Sequence, residues 1–439
     1  MSSITHSDIA AFRDYYRQDA VRQAMTKVFA KADLGSLTYI PQEAARIQYQ
    51  FNVEIKTMTS TNQKSSGRCW LYAATNVLRE IVGKKLNMES FEFSQSWLAF
   101  WDKFERVNAY LDAICETASL PHDDRMVDYL VGTGIGDGGQ WDMFVNIVDK
   151  YGLVPKTAFP ETAQTSATGE MNRHLNLYLR AQTARLRDAL EIHEDVTELR
   201  RTILEKVFSF LCACYGEPPE KFDFEYKDRD GVIHFEENLD PTSFRDQYIG
   251  DYLDHYVSLI NAPAADKPFY RAYTVKYLNN VLGAQKDIYY YNVPIEELKA
   301  KVIQQLKDGE IVWFGSDVGK YRDRENMVWN DTSFNEDIIT GFDTKMTKEQ
   351  MLWYHSSQMN HAMCITGVNI GPDGKPNRWK IENSWGTDGP NGGYYIGSDT
   401  WFDKMVYQAV LNKKYLTEYK LDMEPIVLNP WDPMGSLAD

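Results

Sequence analysis

The sequence predicts an α+β fold on three observations. Gln63 to Gly83 (QKSSGRCWLYAATNVLREIVG) runs from a polar loop into a helix pattern, with Trp70, Ala73, Ala74, Val77, Leu78, Ile81 and Val82 along one face and Gly83 as a stop. Residues 168–215 carry helix formers with interleaved charges and almost no glycine or proline. Residues 359–396 change period to strand, turn and strand: MNHAMCITGVNI, the turn GPDGKPN, RWKIENSW, and GGYYIG opening a third strand. At 439 residues the chain suits two or three average domains or one large α+β unit with insertions, and 43% hydrophobic content fills a core.

Composition narrows the function classes. With 47 basic against 63 acidic residues, the net charge of −16 works against non-specific nucleic-acid binding and favours solubility. Five cysteines on so long a chain make a poor disulfide framework and fit a reducing compartment. The start, MSSITHSDIAAFRDYYRQ, has neither the basic nor the apolar region of a secretory signal, and no window approaches 18 uninterrupted apolar residues. A soluble, cytoplasmic protein is expected, with no membrane partner.

In chain order, residues 4–32 read as helix, 47–59 (IQYQFNVEIKTMT) as a strand leading into the Gln63 loop, and Phe93–Tyr110 as an aromatic-rich helix. Residues 132–140 (GTGIGDGGQ) open a helix at WDMFVNIVDKYG. Without a GK[ST] sequence or a preceding strand this is a structural turn, with Asp137 and Gln140 on the side that could face a groove. Cys212 and Cys214 lack partners at metal or redox spacing and read as helix-core residues. Residues 222–292 mix strand and loop signals, 294–308 form an amphipathic helix starting at Pro294, and IVWFGS (311–316) is a buried strand.

The chemistry gathers at four residues. Cys69 falls where loop becomes helix, and a helix N-terminus lowers a thiol pKa and favours the thiolate. The midpoint of His361 and Asn383 falls on Pro372, inside the turn, so an antiparallel hairpin brings imidazole and carboxamide to one face. His361 then takes the Cys69 proton, and Asn383 holds the ring. Trp385 can shield that hydrogen bond, and Gln63 with the Cys69 backbone N–H can stabilise an oxyanion. The sequence holds no G-x-S-x-G, HExxH or Walker lysine, and no cofactor or metal is expected.

Gln63, Gly67-Arg68-Cys69-Trp70, His361 in NHAM, and Asn383-Ser384-Trp385-Gly386 followed by Gly393-Tyr394 resemble the papain-like cysteine peptidases. Cys69 and His361 are 292 positions apart, against about 130–150 in papain-type enzymes, so roughly 150 residues are inserted. That spacing, Ser-Gly-Arg ahead of Cys69, and the segments GDGGQWDM, FDFEYKD, IVWFGSDVG, KIENSWG and NPWDPMGSLA resemble the bleomycin hydrolase branch, which includes bacterial aminopeptidase C. The resemblance implies a papain-like core over 51–422, with a helical insertion at about 165–255, an N-terminal arm over 1–50, and a C-terminal arm over 423–439.

It further implies a cytosolic homohexamer acting on peptides as an aminopeptidase. The final carboxylate of the C-terminal arm pairs with the substrate amino group, which puts Ala438 and Asp439 beside Trp385 among the substrate-facing residues. Ala438 followed by Asp439 resembles an arm not yet trimmed by the enzyme itself. From Met423 on, Pro425, Pro430 and Pro433 exclude a helix, and Trp431, Met434 and Leu437 offer apolar anchors; an extended arm and a disordered tail both satisfy this composition. An oligopeptide endopeptidase of the same family is the alternative, and a nucleic-acid-binding or scaffold role runs against the charge.

Overall fold

The helix that begins at Cys69 is buried on nearly every side rather than along one stripe. In the computed structural model, which describes residues 3–284 and 286–436, it spans Cys69–Lys85, and Tyr72, Thr75, Asn76 and Arg79 are buried along with the apolar positions. Such all-round burial marks a core helix. Gly83 does not end it. A side chain there would run into Met58, so this glycine admits a neighbour, and the helix continues to Lys84 and Lys85 at its negative pole.

On one flank lie the helices Gln95–Glu116, Trp141–Tyr151, Gly169–Glu191 and Thr197–Tyr215. The predicted helical block is therefore two helices, broken before Thr197 and ended at Gly216, whose φ of +100° suits glycine. The segment expected to be a helical insertion is not helical throughout, for strands follow Tyr215. A separate hairpin of Phe222–Lys227 with Ile233–Leu239 and the helix Pro241–Tyr248 follow. The N-terminal stretch forms two helices, His6–Gln18 and Ala20–Phe29, divided at Asp19, and neither contains a buried residue.

On the other flank lies a twelve-stranded, mostly antiparallel sheet. Its centre runs Val406–Asn412, Val312–Ser316, His361–Ile370, Pro376–Glu382, Tyr394–Ser398. The predicted strand at 311–316 lies in this centre, buried throughout. The segment 47–59 supplies only Val53–Glu54, paired with Val368 and Gly367. The helix Ile295–Lys307, predicted from its amphipathic pattern, covers the far face with Leu298, Val302 and Leu306.

The core helix is fastened to the sheet by polar bonds as well as packing. The Trp313 indole donates to the Trp70 carbonyl at 3.2 Å, and the Cys364 thiol to the Ala73 carbonyl at 3.2 Å. Further along the helix, Arg79 Nη2 meets Glu382 Oε1 at 2.7 Å, with the two side chains 2% and 0% exposed, and Asn76 donates to the same oxygen at 2.9 Å. Glu382 is the last residue of its strand and immediately precedes Asn383.

Removing one partner of such a pair leaves an unpaired buried charge, so Glu382→Ala should lower unfolding stability by about 3–5 kcal/mol. Urea unfolding checks this, and Arg79→Met combined with Glu382→Leu should recover much of the loss.

Candidate active site

The loop before Cys69 is held rigidly from both sides. The Gln63 backbone N–H donates to the Ser384 carbonyl at 2.8 Å, and the Gly386 N–H to the Thr61 carbonyl at 2.9 Å. The Gln63 carboxamide donates to the Ser66 carbonyl at 2.6 Å and accepts from the Ser384 hydroxyl at 2.6 Å. One amide hydrogen of Nε2 is thus spoken for, and a second remains. Arg68, at the N-cap position, is buried and grips Glu161 through two bonds of 3.2 and 2.9 Å. It also donates to the Thr165 carbonyl at 2.7 Å, tying the loop to the insertion.

The glycine-rich segment 132–140 serves this loop. Gly139 lies flush against the Trp70 indole, where a Cβ would collide with the ring, and the Trp70 N–H donates to the Asp137 carbonyl at 2.8 Å. The Asp137 carboxylate accepts from the Gly67 N–H at 3.1 Å, from Asn172 at 2.9 Å, and from Thr168 and Lys103. Lys103 and these donors hold its carboxyl well below the usual carboxylate range against the effect of burial. The segment therefore makes a structural turn, as its composition predicts, and Asp137 does line a groove.

Cys69 is fully buried, and its sulfur accepts from the Ala362 N–H at 3.4 Å, which brings the thiol against the start of the strand carrying His361. His361 Nε2 bonds Asn383 Oδ1 at 2.8 Å. Because that oxygen also accepts from the Ser384 N–H at 2.8 Å, it acts as carbonyl, Nε2 donates, and Nδ1 is left as the basic nitrogen.

The hairpin register differs from the one read at Pro372. Cys364 pairs with Glu382 and Ile370 with Pro376, so the turn centres one residue later, and a bulge between Ile365 and Gly367 shifts the ladder. Asn383 lies just past the last pair and reaches His361 diagonally rather than face to face. Trp385 stacks on the imidazole, centroids 4.7 Å apart and planes 26° apart.

Burial beneath this cover lowers the His361 pKa to about 4; the Asn383 hydrogen bond opposes the shift, and the Arg322 charge reinforces it. Burial on its own thus favours the uncharged ring. An open groove of about 720 Å³ runs past it, lined by Gln63, Gly67, Asp137, Asn360, His361 and Trp385 among others.

Two contributors escape a reading of motifs alone. Asp317, inside IVWFGSDVG, accepts from the Gly319 N–H at 2.9 Å, Asn360 at 2.8 Å and the Ser357 hydroxyl at 2.7 Å, shaping the wall at 318–319. Its Asp-x-Gly spacing signals an Asx turn but not the bond to Asn360. Arg322 lies 4.0 Å over the Trp385 ring, with no spacing to announce it.

The C-terminal arm is extended at Ile426–Leu428, but Pro433 opens a short 3-10 turn, Pro433–Gly435, because proline's fixed φ suits a first helical position. Ile426–Leu428 pairs in parallel with Tyr273–Val275, Trp431 packs under the Arg125 guanidinium at 4.0 Å, and Asp432 bonds the buried Lys267 at 2.8 Å. Met434 is buried, and Gln140 Nε2 donates to the Ser436 carbonyl at 2.9 Å. Leu437, Ala438 and Asp439 lie outside the described residues.

A cysteine beside an imidazole held by a carboxamide suits acyl transfer through sulfur, the chemistry of a cysteine peptidase. A profile of the Peptidase C1-like family matches residues 3–435, and the chain belongs to that family. It is similar to Aminopeptidase C of Listeria monocytogenes serovar 1/2a, 40% identical over 440 residues, covering 100% of this chain and 99% of that one. It is also similar to Bleomycin hydrolase of Gallus gallus, 42% identical over 403 residues, covering 89% and 88%. The crystal structure of PepW from Lactobacillus rhamnosis HN001 superposes with a TM-score of 0.94 at 39% identity, covering 100% of both chains. The α+β fold and the bleomycin hydrolase branch expected from the motifs are thus borne out.

The His361 environment sets a pH window. Unfolded, the imidazole gains a proton below about 6.5, whereas folded it stays neutral to about 4. Its contribution to stability is therefore whole above pH 6.5 and is lost as pH falls toward 4. In a Cys69→Ala protein the His361 C2 proton should titrate near pH 4 by NMR, and Asn383→Ala should lower that value further.

Proposed function

We propose that this protein is a cysteine aminopeptidase that removes N-terminal residues from short peptides. The reading is carried by the 2.8 Å bond from His361 to Asn383 together with Cys69 Sγ lying against the Ala362 N–H, at the edge of an open groove. His361 Nδ1 takes the Cys69 proton. The sulfur attacks the first peptide carbonyl, the C–N bond breaks, and the imidazolium gives its proton to the leaving amine. Water then attacks the thioester with His361 as base, which frees the residue and restores the thiol. The second Gln63 amide hydrogen and the Cys69 backbone N–H stabilise the oxyanion, and Trp385 keeps water from the His361–Asn383 bond.

Selection for a free amino terminus rests on the arm. Asp137 is the one acid among the described groove-lining residues, and Lys103 with three further donors already satisfies its carboxylate. An α-ammonium group therefore needs a negative charge from elsewhere. The arm is anchored as far as Ser436 through Gln140, next to the loop that holds Trp70, and a carboxylate from Ala438 or Asp439 would supply that charge and obstruct longer substrates. Residues 1–50, 51–422 and 423–439 accordingly act as N-terminal arm, catalytic core and C-terminal arm.

The exposed N-terminal helices, with Phe12 61% and Tyr15 77% exposed, support assembly of several copies of this chain, and a homohexamer is the family arrangement we adopt. Five cysteines outside disulfides support a cytoplasmic location. Among the described residues no helix is long and apolar enough to cross a membrane. The −16 charge disfavours nucleic acid as a partner.

Cys69→Ala should reduce peptide hydrolysis roughly 10⁴-fold or more, and Gln63→Ala should reduce kcat roughly 10²–10³-fold. Comparing a free-amine peptide with its N-acetylated form tests the exopeptidase reading. Efficient cleavage of the blocked peptide would overturn it in favour of an endopeptidase. Deleting residues 437–439 should transfer activity toward the blocked peptide. Intact mass of the purified protein, with and without Cys69, reads whether Asp439 is trimmed.

A further inference from the structure

The groove wall beside His361 is made by Val318, Gly319 and Asn360 together with Trp385. Val318 and Gly319 follow the central strand Val312–Ser316, and Asn360 precedes the strand that pairs with it, His361 opposite Ser316. These two ends are locked to each other. Asn360 donates from its backbone N–H to the Ser316 carbonyl at 3.0 Å and from its side chain to Asp317 at 2.8 Å. Its carboxamide oxygen accepts from the Val318 N–H at 3.0 Å. The buried Asp317 carboxylate also accepts from the Gly319 N–H at 2.9 Å and the Ser357 hydroxyl at 2.7 Å, and that hydroxyl accepts from Tyr407 at 2.7 Å.

What this lock offers the groove is apolar. The Val318 N–H is taken by Asn360 and its carbonyl by the Trp329 indole at 3.3 Å, so its half-buried isopropyl group is the part left for a ligand. The same Trp329 ring lies 6.2 Å from that of Trp385, so one indole braces both side chains. The charged groups at the outer edge are turned to other tasks. Lys320 bonds the Ser356 hydroxyl at 2.8 Å, and Arg322 lies 4.0 Å over the Trp385 ring while donating to the Tyr395 hydroxyl at 3.0 Å.

We propose that Val318 and Trp385 form an apolar seat for the residue after the scissile bond, so that peptides with a large apolar second residue are preferred, and that Asp317 is the positioning residue that holds this seat. This rests on His361 giving its proton to the leaving amine. That amine must lie within hydrogen-bond reach of the imidazole as the C–N bond breaks, so the residue carrying it lies against the surface flanking His361. The N-terminal residue then lies toward Gly67 and Asp137, on the side where Gln140 anchors the arm. Half-covering a leucine or phenylalanine side chain is worth about tenfold over glycine. A basic side chain gains nothing, because Asp317 is spent and Lys320 and Arg322 add charge of the same sign.

Two series test this: hydrolysis of Ala-Gly, Ala-Lys, Ala-Leu and Ala-Phe, and partition of one acyl-enzyme between water and added amines. An alanine ester acylates Cys69, and glycinamide or leucinamide then competes with water. The acceptor nitrogen bonds the acyl carbon as the C–S bond breaks, and its proton passes through His361 to the thiolate. Since the acyl group is common, the partition reads only the leaving side. Ala-Leu and Ala-Phe should exceed Ala-Gly about tenfold in kcat/KM, Ala-Lys should not, and leucinamide should capture the acyl group about tenfold better than glycinamide. Val318→Ser, and Val318→Thr, which keeps the shape, should cut both ratios to about threefold or less. Asp317→Ala should do the same, whereas Asp317→Asn, which keeps an acceptor for Gly319 and Asn360, should retain most of the preference. Circular dichroism checks folding. Equal handling of leucine and glycine by the unmodified protein, or unmoved ratios in both Val318 variants, overturns the seat. Lower rates at an unmoved ratio in Asp317→Ala overturn its positioning role. Cleavage of N-acetylated peptides alone would reject the aminopeptidase reading and leave the seat standing, since an N-acetylalanine ester gives the same partition.

Discussion

The ion pair between Arg79 and Glu382 is the constraint on which the active-site geometry depends. It joins the core helix, nearly three turns beyond Cys69, to the last paired residue of the strand that delivers Asn383. Arg79 also donates to the Thr59 and Met58 carbonyls, so the same guanidinium secures the segment leading to Gln63. Gln63 and Cys69, on one segment, and Asn383, on a distant strand, are registered together by this one buried cation. In a low-dielectric interior that arrangement is stiff, because any displacement would strand a charge away from water.

Charge management continues outward from there. Asp137, Asp317 and Glu161 are each absorbed in fixed hydrogen bonds that hold loops, so the groove presents little free negative charge of its own. His361 lies under Trp385 in surroundings that favour its neutral form. A peptidase built on sulfur needs a base free of competing partners, and the walls provide this by satisfying their own acids. The C-terminal segment runs along the sheet edge and is fixed by Asp432, Met434 and Gln140.

The segment around 161–172, between Cys69 and His361 in sequence, is a support in space. Thr168 and Asn172 at the start of Gly169–Glu191 bond Asp137, and Glu161 and Thr165 bond Arg68, so this segment braces the loop ahead of the nucleophile. The chain beyond Tyr215 departs from the all-helical expectation. Phe222 and Phe224 form a hairpin strand whose rings pack on Phe244, giving the helical flank an aromatic seal rather than another helix.

Local pattern alone determined a good deal. Period and composition located the helix at Cys69, the helical block, the central strand at 311–316 and the extended tail, because each depends on neighbours three or four positions away or on proline geometry. The residues Gln63, Cys69, His361, Asn383 and Trp385 were legible as a set from their order and motifs, as was the aspartate in the glycine-rich turn. Tertiary structure decided what no spacing encodes: that the helix is buried all round, that a turn centred one residue later makes Asn383 reach His361 diagonally, that Gly83 and Gly139 make room for Met58 and Trp70, and that Arg322 faces Trp385. Those features depend on groups tens to hundreds of positions apart competing for the same buried space, and only the packed chain fixes which of them meet.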